Sequence, residues 1–229
     1  MGLVSWNDNL PGLLDHTVLR PEATKADVLR LCAEAKDHGF VVIFVPPCYV
    51  DEAVAAVAGT AVQVGIPIGF PLGGHSTYAK VTEAIEAVAH GARVLDMVIN
   101  ISRLKSGDYD FVRQDMAAVV QSTPGVNHKI ILETCLLTRE EKITACRLAV
   151  EAGMDYVKTS TGFNQAGATV EDVRLMKEAV AGRAKVKASG GIRNWKSTRA
   201  LLEAGADRIG TSASLNILSE WRAEQAPGH

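Results

Sequence analysis

Three ionisable side chains inside apolar stretches are the residues of this 229-residue chain best suited to chemistry. Lys158 ends a short apolar run and is followed by Thr-Ser-Thr-Gly, whose glycine lets the backbone turn sharply. Asp96 and Lys187 lie within two further apolar runs. A charge in such surroundings costs free energy unless it is paired or used. We therefore interpret these three side chains as candidate site residues.

Two lysines and a carboxylate in one place are suited to covalent catalysis by an amine. A lysine must lose its proton before it attacks a carbonyl carbon, and a second ammonium nearby, with partial desolvation, lowers its pKa. A neighbouring carboxylate offsets part of the repulsion and can relay protons through water. The set therefore indicates Schiff-base chemistry. On residue types alone, a buried Lys–Asp–Lys network that only stabilises the protein explains the pattern equally well.

The elements that must bring these residues together follow a repeating pattern of strand and helix. Short apolar runs, typical of parallel strands buried on both faces, alternate with amphipathic helical segments. Capping pairs begin helices after Thr24, Thr138 and Thr169. The eight predicted strands cover residues 13–17, 40–45, 61–68, 94–99, 129–132, 155–158, 185–188 and 208–210.

This order of elements predicts an α/β fold, a single (β/α)₈ TIM barrel. We predict one domain over residues 1–229, with a short N-terminal extension over about 1–12 and a C-terminal tail over about 219–229. The alternative is a doubly wound open sheet, but no G-x-G-x-x-G follows the first strand and the chain has no P-loop. In a barrel, strands six and seven place Lys158 and Lys187 side by side at the carboxyl-terminal mouth, with Asp96 in the same mouth.

Glycine-rich segments follow the seventh and eighth predicted strands. They are Ser-Gly-Gly-Ile at residues 189–192 and Gly-Thr-Ser at residues 210–212. Barrels often bind phosphate at this position, with backbone N–H groups and hydroxyls that approach the anion closely. Taken alone, a Gly-Gly pair after a strand is more often only a turn. Its place in a barrel favours a phosphate site.

Composition and charge narrow the partners and the compartment. The net charge is -2 and basic runs are missing, so no electrostatic footprint for nucleic acid or an anionic membrane is expected. The four cysteines form no C-x-x-C pair, which favours reduced thiols. The first residues lack a basic segment and an apolar segment, and no apolar run is long enough to span a membrane. We predict a cytoplasmic protein.

The histidines give no indication of a metal site. They are dispersed at positions 16, 38, 75, 90, 128 and 229, with no H-x-x-x-H pair and no Cys/His cluster. His16 follows Asp15 and could face the barrel mouth, but a structural histidine is the simpler interpretation. We expect neither a metal nor an organic cofactor.

Several motifs carry a resemblance to a known family. They are GFPLG at residues 69–73, LDMVIN at 95–100, LKSGDY at 104–109, ETCLL at 133–137, VKTSTG at 157–162, GATVED at 167–172 and KASGGIR at 187–193. With these motifs the chain resembles the deoxyribose-phosphate aldolases, and the match runs from about Leu13 to Leu218.

The resemblance implies a metal-free class I aldolase that reversibly cleaves 2-deoxy-D-ribose 5-phosphate into D-glyceraldehyde 3-phosphate and acetaldehyde. By motif position, Lys158 is the Schiff-base lysine, Lys187 lowers its pKa, and Asp96 relays protons with a water. The partners implied are small phosphosugar and aldehyde substrates, and the family resemblance favours a homodimer or homotetramer. The substrate and phosphate residues implied are Thr161, Gly162, Gly190, Gly191 and Ser212.

The chain departs from the family pattern at a few positions. Phe44 and Pro46 stand where many members have Cys and Asn, so the end of the second strand is bulkier and less polar. Acceptor preference could shift as a result. Ala213 stands where a second serine often helps to hold phosphate. Losing that contact would weaken phosphate binding by roughly 1 kcal/mol if no backbone N–H replaces it.

Two other functions fit the same residues. A phosphosugar isomerase or epimerase on this fold would use Asp96 as a base and a lysine as an electrostatic stabiliser, with no covalent adduct. A non-catalytic sugar-phosphate binding protein would keep the phosphate loops while Lys158 is merely structural.

Overall fold

A computed structural model describes residues 9–225, which form eight strands and nine α-helices. The strands are β1 (Leu14–Thr17), β2 (Val42–Phe44), β3 (Gln63–Ile68), β4 (Val94–Val98), β5 (Asn127–Ile131), β6 (Tyr156–Lys158), β7 (Lys185–Ser189) and β8 (Arg208–Thr211). The helices are α1 (Lys25–His38), α2 (Val50–Val57), α3 (Thr77–Ala89), α4 (Ile101–Lys105), α5 (Tyr109–Ser122), α6 (Arg139–Glu151), α7 (Val170–Val180), α8 (Trp195–Glu203) and α9 (Ser214–Gln225).

The strands close into one parallel barrel in chain order. Each strand pairs with the next, and β1 pairs with β8, where Asp15 lies opposite Gly210. The predicted single (β/α)₈ barrel is therefore confirmed, and the open-sheet alternative is wrong. Among the described residues no helix is long and apolar enough to cross a bilayer.

The predicted extension and tail lie partly outside the described residues. Residues 1–8 and 226–229 are not described, whereas α9 runs through Gln225 and so crosses the predicted start of the tail. The division of the chain into barrel, extension and tail stays a prediction.

Local sequence signals set most helix starts. The capping boxes predicted at Thr24 and Thr138 both form. Thr169 also caps its helix by accepting from the Asp172 N–H, but the Asp172 carboxylate binds Lys142 at 2.5 Å. The third box is therefore only half formed, because a cation from the neighbouring helix α6 competes for the carboxylate.

Five strands, β1 to β4 and β6, are shorter than the apolar runs that predicted them, whereas β5, β7 and β8 are each one residue longer. The second run began at Phe40, but β2 begins at Val42, and Phe40 instead packs its ring against His16 at 4.9 Å between centroids. Helix α4 was not predicted. It has five residues, and the Asn100 side chain caps it by accepting from the Arg103 N–H.

Two apolar regions hold the barrel together, and they differ in size. The larger one lies between strands and helices, where outward side chains such as Ile43, Ile66 and Ile130 are fully buried. The smaller one lies inside the barrel and contains Phe44 and Val94. The remaining buried interior carries charge where barrels usually carry branched apolar side chains. The charged residues that contact one another there are Asp15, Asp96, Lys129, Lys158, Lys187 and Arg208.

Candidate active site

The three residues predicted to carry chemistry meet at one carboxylate oxygen. Lys158 Nζ and Lys187 Nζ each lie 2.7 Å from Asp96 Oδ2. They come from β6 and β7, where Lys158 is paired in register with Lys187, and the carboxylate comes from β4. All three are buried, with exposures of 5% for Lys158, 1% for Lys187 and 0% for Asp96.

Three further charged residues complete this cluster and were missed in the sequence. Asp15 Oδ2 lies 2.6 Å from Lys187 Nζ, and Asp15 Oδ1 lies 2.6 Å from Arg208. Lys129 Nζ lies 3.7 Å from Asp96 Oδ1. Asp15 and Lys129 alternate along their strands with outward-facing residues such as Leu14 and Ile130, so the two-residue period of a strand could have identified them.

Charge in the cluster is unbalanced. Four cationic side chains, Lys129, Lys158, Lys187 and Arg208, surround the carboxylates of Asp15 and Asp96. If every group is ionised, the buried cluster carries an excess of two positive charges. Loss of a proton from one lysine therefore relieves repulsion.

Burial shifts the pKa of Lys158 toward neutrality, against the net effect of its charged neighbours. Burial is the largest influence and lowers the pKa of Lys158 to about 8; the Asp96 carboxylate opposes this shift and the Lys187 ammonium adds to it. Burial likewise lowers the pKa of Lys129 to about 8. Lys158 differs in that it lines the open cavity of the barrel mouth. Its amine can reach a ligand.

The two carboxylates stay ionised because of their cationic neighbours. Burial opposes ionisation of Asp96, but the charges of Lys158, Lys187 and Lys129 outweigh it and hold its pKa at about 2. Burial opposes ionisation of Asp15 as well. The charges of Arg208 and Lys187 outweigh it and hold the pKa of Asp15 well below its usual range.

The bulkier residue expected at the end of the second strand lies inside this cluster. The Phe44 ring is 1% exposed, and its centroid lies 3.9 Å from Lys187 Nζ and 5.5 Å from Lys158 Nζ. Gly65 on β3 makes room, because a Cβ there would lie 2.7 Å from the ring. The ring fills the space beside the lysines and offers Lys187 a cation–π contact.

A cavity of about 360 Å³ opens above Lys158 at the carboxyl-terminal mouth. Lys187 and Asp96 do not line it and lie behind Lys158. All five residues predicted to bind substrate or phosphate line the cavity, namely Thr161, Gly162, Gly190, Gly191 and Ser212.

Two glycines of the cavity wall have backbone conformations with positive φ, which other residues rarely adopt. Gly162 and Gly190 have φ values of 87° and 89°. Helix α9 begins at Ser214, two residues after Ser212, and its N-terminus favours an anion nearby. The Ala213 N–H donates to Thr211 Oγ1 at 2.9 Å. It is therefore engaged within the protein and does not stand in for the missing serine hydroxyl.

His16 faces away from the mouth. It bonds Glu34 on α1 at 2.7 Å and packs on Phe40, so the interpretation as a structural histidine is confirmed. Among residues 9–225 no three His, Cys, Asp or Glu side chains come together as a metal site would require.

The fold and this mouth define the class of protein. A buried amine of lowered pKa lines a cavity beside glycine-rich turns and a helix N-terminus, at the end of a (β/α)₈ barrel where enzymes of this fold carry their sites. Such an arrangement is suited to an enzyme that reacts with the carbonyl group of a small anionic substrate.

Comparison with known proteins identifies the family within this class of enzyme. The family model described as DeoC/LacD family aldolase matches residues 12–220. A deoxyribose-phosphate aldolase of Thermoanaerobacter sp. (strain X514) is 51% identical over 216 residues, which make up 93% of this chain and 97% of the relative. Another, from Caldanaerobacter subterraneus subsp. tengcongensis, is 48% identical over 219 residues, with coverages of 94% and 95%. The solved deoxyribose phosphate aldolase of Aeropyrum pernix, described as tetrameric, has a TM-score of 0.89 at 32% identity and covers 96% of this chain and 93% of its own.

The chain belongs to the DeoC/LacD family of aldolases and is an enzyme of the lyase class. The resemblance found in the sequence is confirmed. Family membership decides against the isomerase and against the non-catalytic binding protein.

Proposed function

We propose that this aldolase reversibly cleaves 2-deoxy-D-ribose 5-phosphate into D-glyceraldehyde 3-phosphate and acetaldehyde through a Schiff base on Lys158. The observation that carries the proposal is the Lys158 amine. It lines the cavity, lies 2.7 Å from Asp96, and has a pKa lowered to about 8. Relatives that share about half of the sequence are named for this substrate.

Each step of the cleavage uses a group in the cluster. The free Lys158 amine attacks the C1 aldehyde of the open-chain sugar, and loss of water gives a protonated imine. The C3 hydroxyl then gives its proton through a water to the Asp96 carboxylate while the C2–C3 bond breaks, and the protonated imine accepts the electron pair to become a neutral enamine. D-Glyceraldehyde 3-phosphate leaves, and protonation and hydrolysis of the remaining enamine release acetaldehyde.

Asp96 and Lys187 support these proton transfers from behind the nucleophile. Asp96 contacts both ammonium groups, so it can pass protons to and from the imine nitrogen through a water. The Lys187 ammonium favours the neutral, nucleophilic form of Lys158 and is held between Asp96 and Asp15. This pairing keeps Lys187 at a fixed distance from the reacting nitrogen.

The glycine-rich wall of the cavity is suited to binding the phosphate group of the substrate. Gly162, Gly190 and Gly191 bring backbone close to the cavity, and Ser212 adds a hydroxyl before the N-terminus of α9. We assign the phosphate to these residues and a sugar hydroxyl to Thr161.

Borohydride trapping tests the proposal. With deoxyribose 5-phosphate or acetaldehyde, reduction should leave a mass adduct on the Lys158 peptide and none on the Lys129 peptide. Both lysines have a pKa of about 8, but only Lys158 lines the cavity, so Lys129 is an internal control. The proposal fails if no adduct forms on Lys158, or if Lys158→Ala cleaves substrate at the original rate.

The mechanism needs no metal, and this too can be measured. Excess EDTA should leave the cleavage rate unchanged. A marked loss that added divalent metal restores would point to a metal-dependent aldolase instead.

We further propose that the protein acts in the cytoplasm as a homodimer or homotetramer. Support comes from the relative of Aeropyrum pernix, whose structure is described as tetrameric. Light scattering coupled to gel filtration would give the mass of the assembly.

A further inference from the structure

A buried carboxylate beside the cavity has no role in the steps above. Glu133 follows β5, is 0% exposed, and forms no ion pair with any of residues 9–225. A buried carboxylate without a cation is costly unless hydrogen-bond donors surround it. The partners of Glu133 therefore indicate what it does.

Among residues 9–225, the hydrogen-bond partners of this carboxylate all come from one turn after β6. Glu133 Oε1 accepts from the Thr161 N–H at 3.3 Å, and Glu133 Oε2 accepts from the Thr161 hydroxyl and from Asn164 Nδ2, the latter at 3.0 Å. Thr161 Oγ1 in turn accepts from the Phe163 N–H at 3.1 Å. One carboxylate thus ties together the turn of residues 161–164.

The backbone of Glu133 is shaped to make these contacts. Its φ is 58°, in the left-handed region that residues other than glycine rarely adopt. The next residue, Thr134, donates its N–H to the Thr159 carbonyl at 3.0 Å, so the segments after β5 and β6 lie side by side. This arrangement turns the Glu133 side chain toward the turn.

These hydrogen bonds also determine whether the Thr161 hydroxyl can donate to a ligand or accept from it. A threonine hydroxyl has one proton and two lone pairs. The proton goes to Glu133, and one lone pair accepts from the Phe163 N–H. Because Thr161 lines the cavity, its remaining lone pair can only accept a hydrogen bond there, and a ligand hydroxyl is the partner that fits.

We propose that Glu133 is a positioning residue, which holds Thr161 and Gly162 where they bind the hydroxyl and phosphate of the substrate. This inference rests on the proposed function. It assigns Glu133 to binding the phosphosugar and leaves the reaction of Lys158 with a bare aldehyde independent of it. Acetaldehyde carries neither a hydroxyl nor a phosphate, so the two substrates separate these roles.

The test is Glu133→Gln in the full-length protein. An amide donor facing the Thr161 N–H or Asn164 should loosen the turn. We expect KM for deoxyribose 5-phosphate to rise about tenfold with a much smaller change in kcat. The rate of borohydride trapping on Lys158 with acetaldehyde should match that of the unaltered protein.

Two more variants make the test specific. Asn164→Ala removes one of the donors to the Glu133 carboxylate, and the Asn164 side chain is exposed. This variant should also raise KM for deoxyribose 5-phosphate, by about threefold. Asp155→Asn is the matched control. The Asp155 carboxylate accepts from the His128 N–H at 2.8 Å near the amino-terminal end of β5, outside the cavity wall, so KM should stay unchanged.

The outcomes separate this inference from the proposed function. An unchanged KM in Glu133→Gln overturns the inference, and so does a loss of acetaldehyde trapping that parallels the loss of sugar cleavage. If Glu133→Gln does not fold, the KM of Asn164→Ala decides. Absence of any Lys158 adduct in the unaltered protein overturns the proposed function itself.

Discussion

Burial is the largest influence on the pKa of the Lys158 amine. Burial lowers its pKa from 10.5 to about 8, against the pull of Asp96, with help from Lys187. Below pH 8 most of the amine is protonated and cannot attack a carbonyl, so we expect kcat/KM to rise with pH up to about 8. Side chains that keep water from the amine therefore set the working pH.

Phe44 is the residue where this dependence can be tested. Phe44→Leu removes the ring 5.5 Å from Lys158 Nζ and admits water, which weakens the effect of burial. The pKa of Lys158 then rises toward 10.5, so the acidic limb of the kcat/KM profile should move to higher pH by about half a unit to one unit. At pH 7 the rate should fall by about three- to tenfold.

Phe40→Leu provides the matched control. Phe40 is as buried as Phe44, at 1% exposure, but its ring packs against His16 outside the barrel. This variant should lose stability without moving the acidic limb. An equal displacement of the limb in both variants, or none in Phe44→Leu, would contradict the role given to Phe44.

Two connecting segments form the cavity wall by packing backbone against backbone. The Ala168 N–H donates to the Gly190 carbonyl at 3.1 Å, which joins the segment after β6 to the turn after β7. A Cβ on Gly167 would lie 2.0 Å from that carbonyl oxygen. Glycine is required at 167 by this close approach rather than by a positive φ.

Gly167→Ala should therefore distort the proposed phosphate site while leaving the lysines in place. Its methyl group must push Gly190 away, so we expect KM for deoxyribose 5-phosphate to rise at least about tenfold. Trapping of acetaldehyde on Lys158 should persist at close to its usual rate. Steady-state kinetics measures KM, and mass spectrometry measures the trapping on Lys158.

Gly74→Ala controls for the general cost of removing a loop glycine. A Cβ at Gly74 meets nothing within 4 Å, so kinetics should be unaltered. If Gly167→Ala resembles Gly74→Ala in KM, the backbone contact does not position the phosphate site.

Stability of the whole barrel depends in part on a buried ion pair outside the lysine cluster. Lys80 Nζ on α3 lies 2.7 Å from Asp115 Oδ2 on α5 and donates to the Val98 carbonyl at 3.1 Å. Thr77 adds a hydrogen bond to Asp115 at 2.7 Å. Two helices and the end of β4 are thereby joined at one point.

Lys80→Met should lower the free energy of unfolding by about 3–5 kcal/mol, because it leaves the Asp115 carboxylate buried without its cation. Lys105→Ala breaks the surface pair with Glu141 and should cost at most about 1 kcal/mol. Urea unfolding measures both. A cost for Lys80→Met no larger than that for Lys105→Ala would show that the buried pair contributes little.

Sequence patterns predicted the architecture and part of the site for identifiable reasons. Apolar runs, capping residues and the helix-ending glycine Gly39 are local signals, and they located the strands and most helices. Lys158, Lys187 and Asp96 stood out because a charge in an apolar run is conspicuous. The prediction of the phosphate-binding residues depended on the family motifs, since Gly-Gly after a strand is weak evidence by itself.

Other buried charged residues gave weaker signals. Glu133 directly follows an apolar run, at a strand end where a glutamate usually faces solvent. Lys80 lies in an amphipathic helix and gives no local sign that it is buried. In both cases burial results from contacts with distant parts of the chain, and no short pattern reports such contacts.

By itself, the sequence determined that the chain forms eight strand–helix units and that Lys158 ends the sixth strand, because strand and helix periods are local properties. Only the tertiary structure decided which charges surround that lysine. Barrel closure pairs β1 with β8, and this brings Asp15 to Arg208, 193 residues away in the chain, and to Lys187. The pKa of Lys158 depends on the distances among these buried charges, and distances exist only once the barrel has closed.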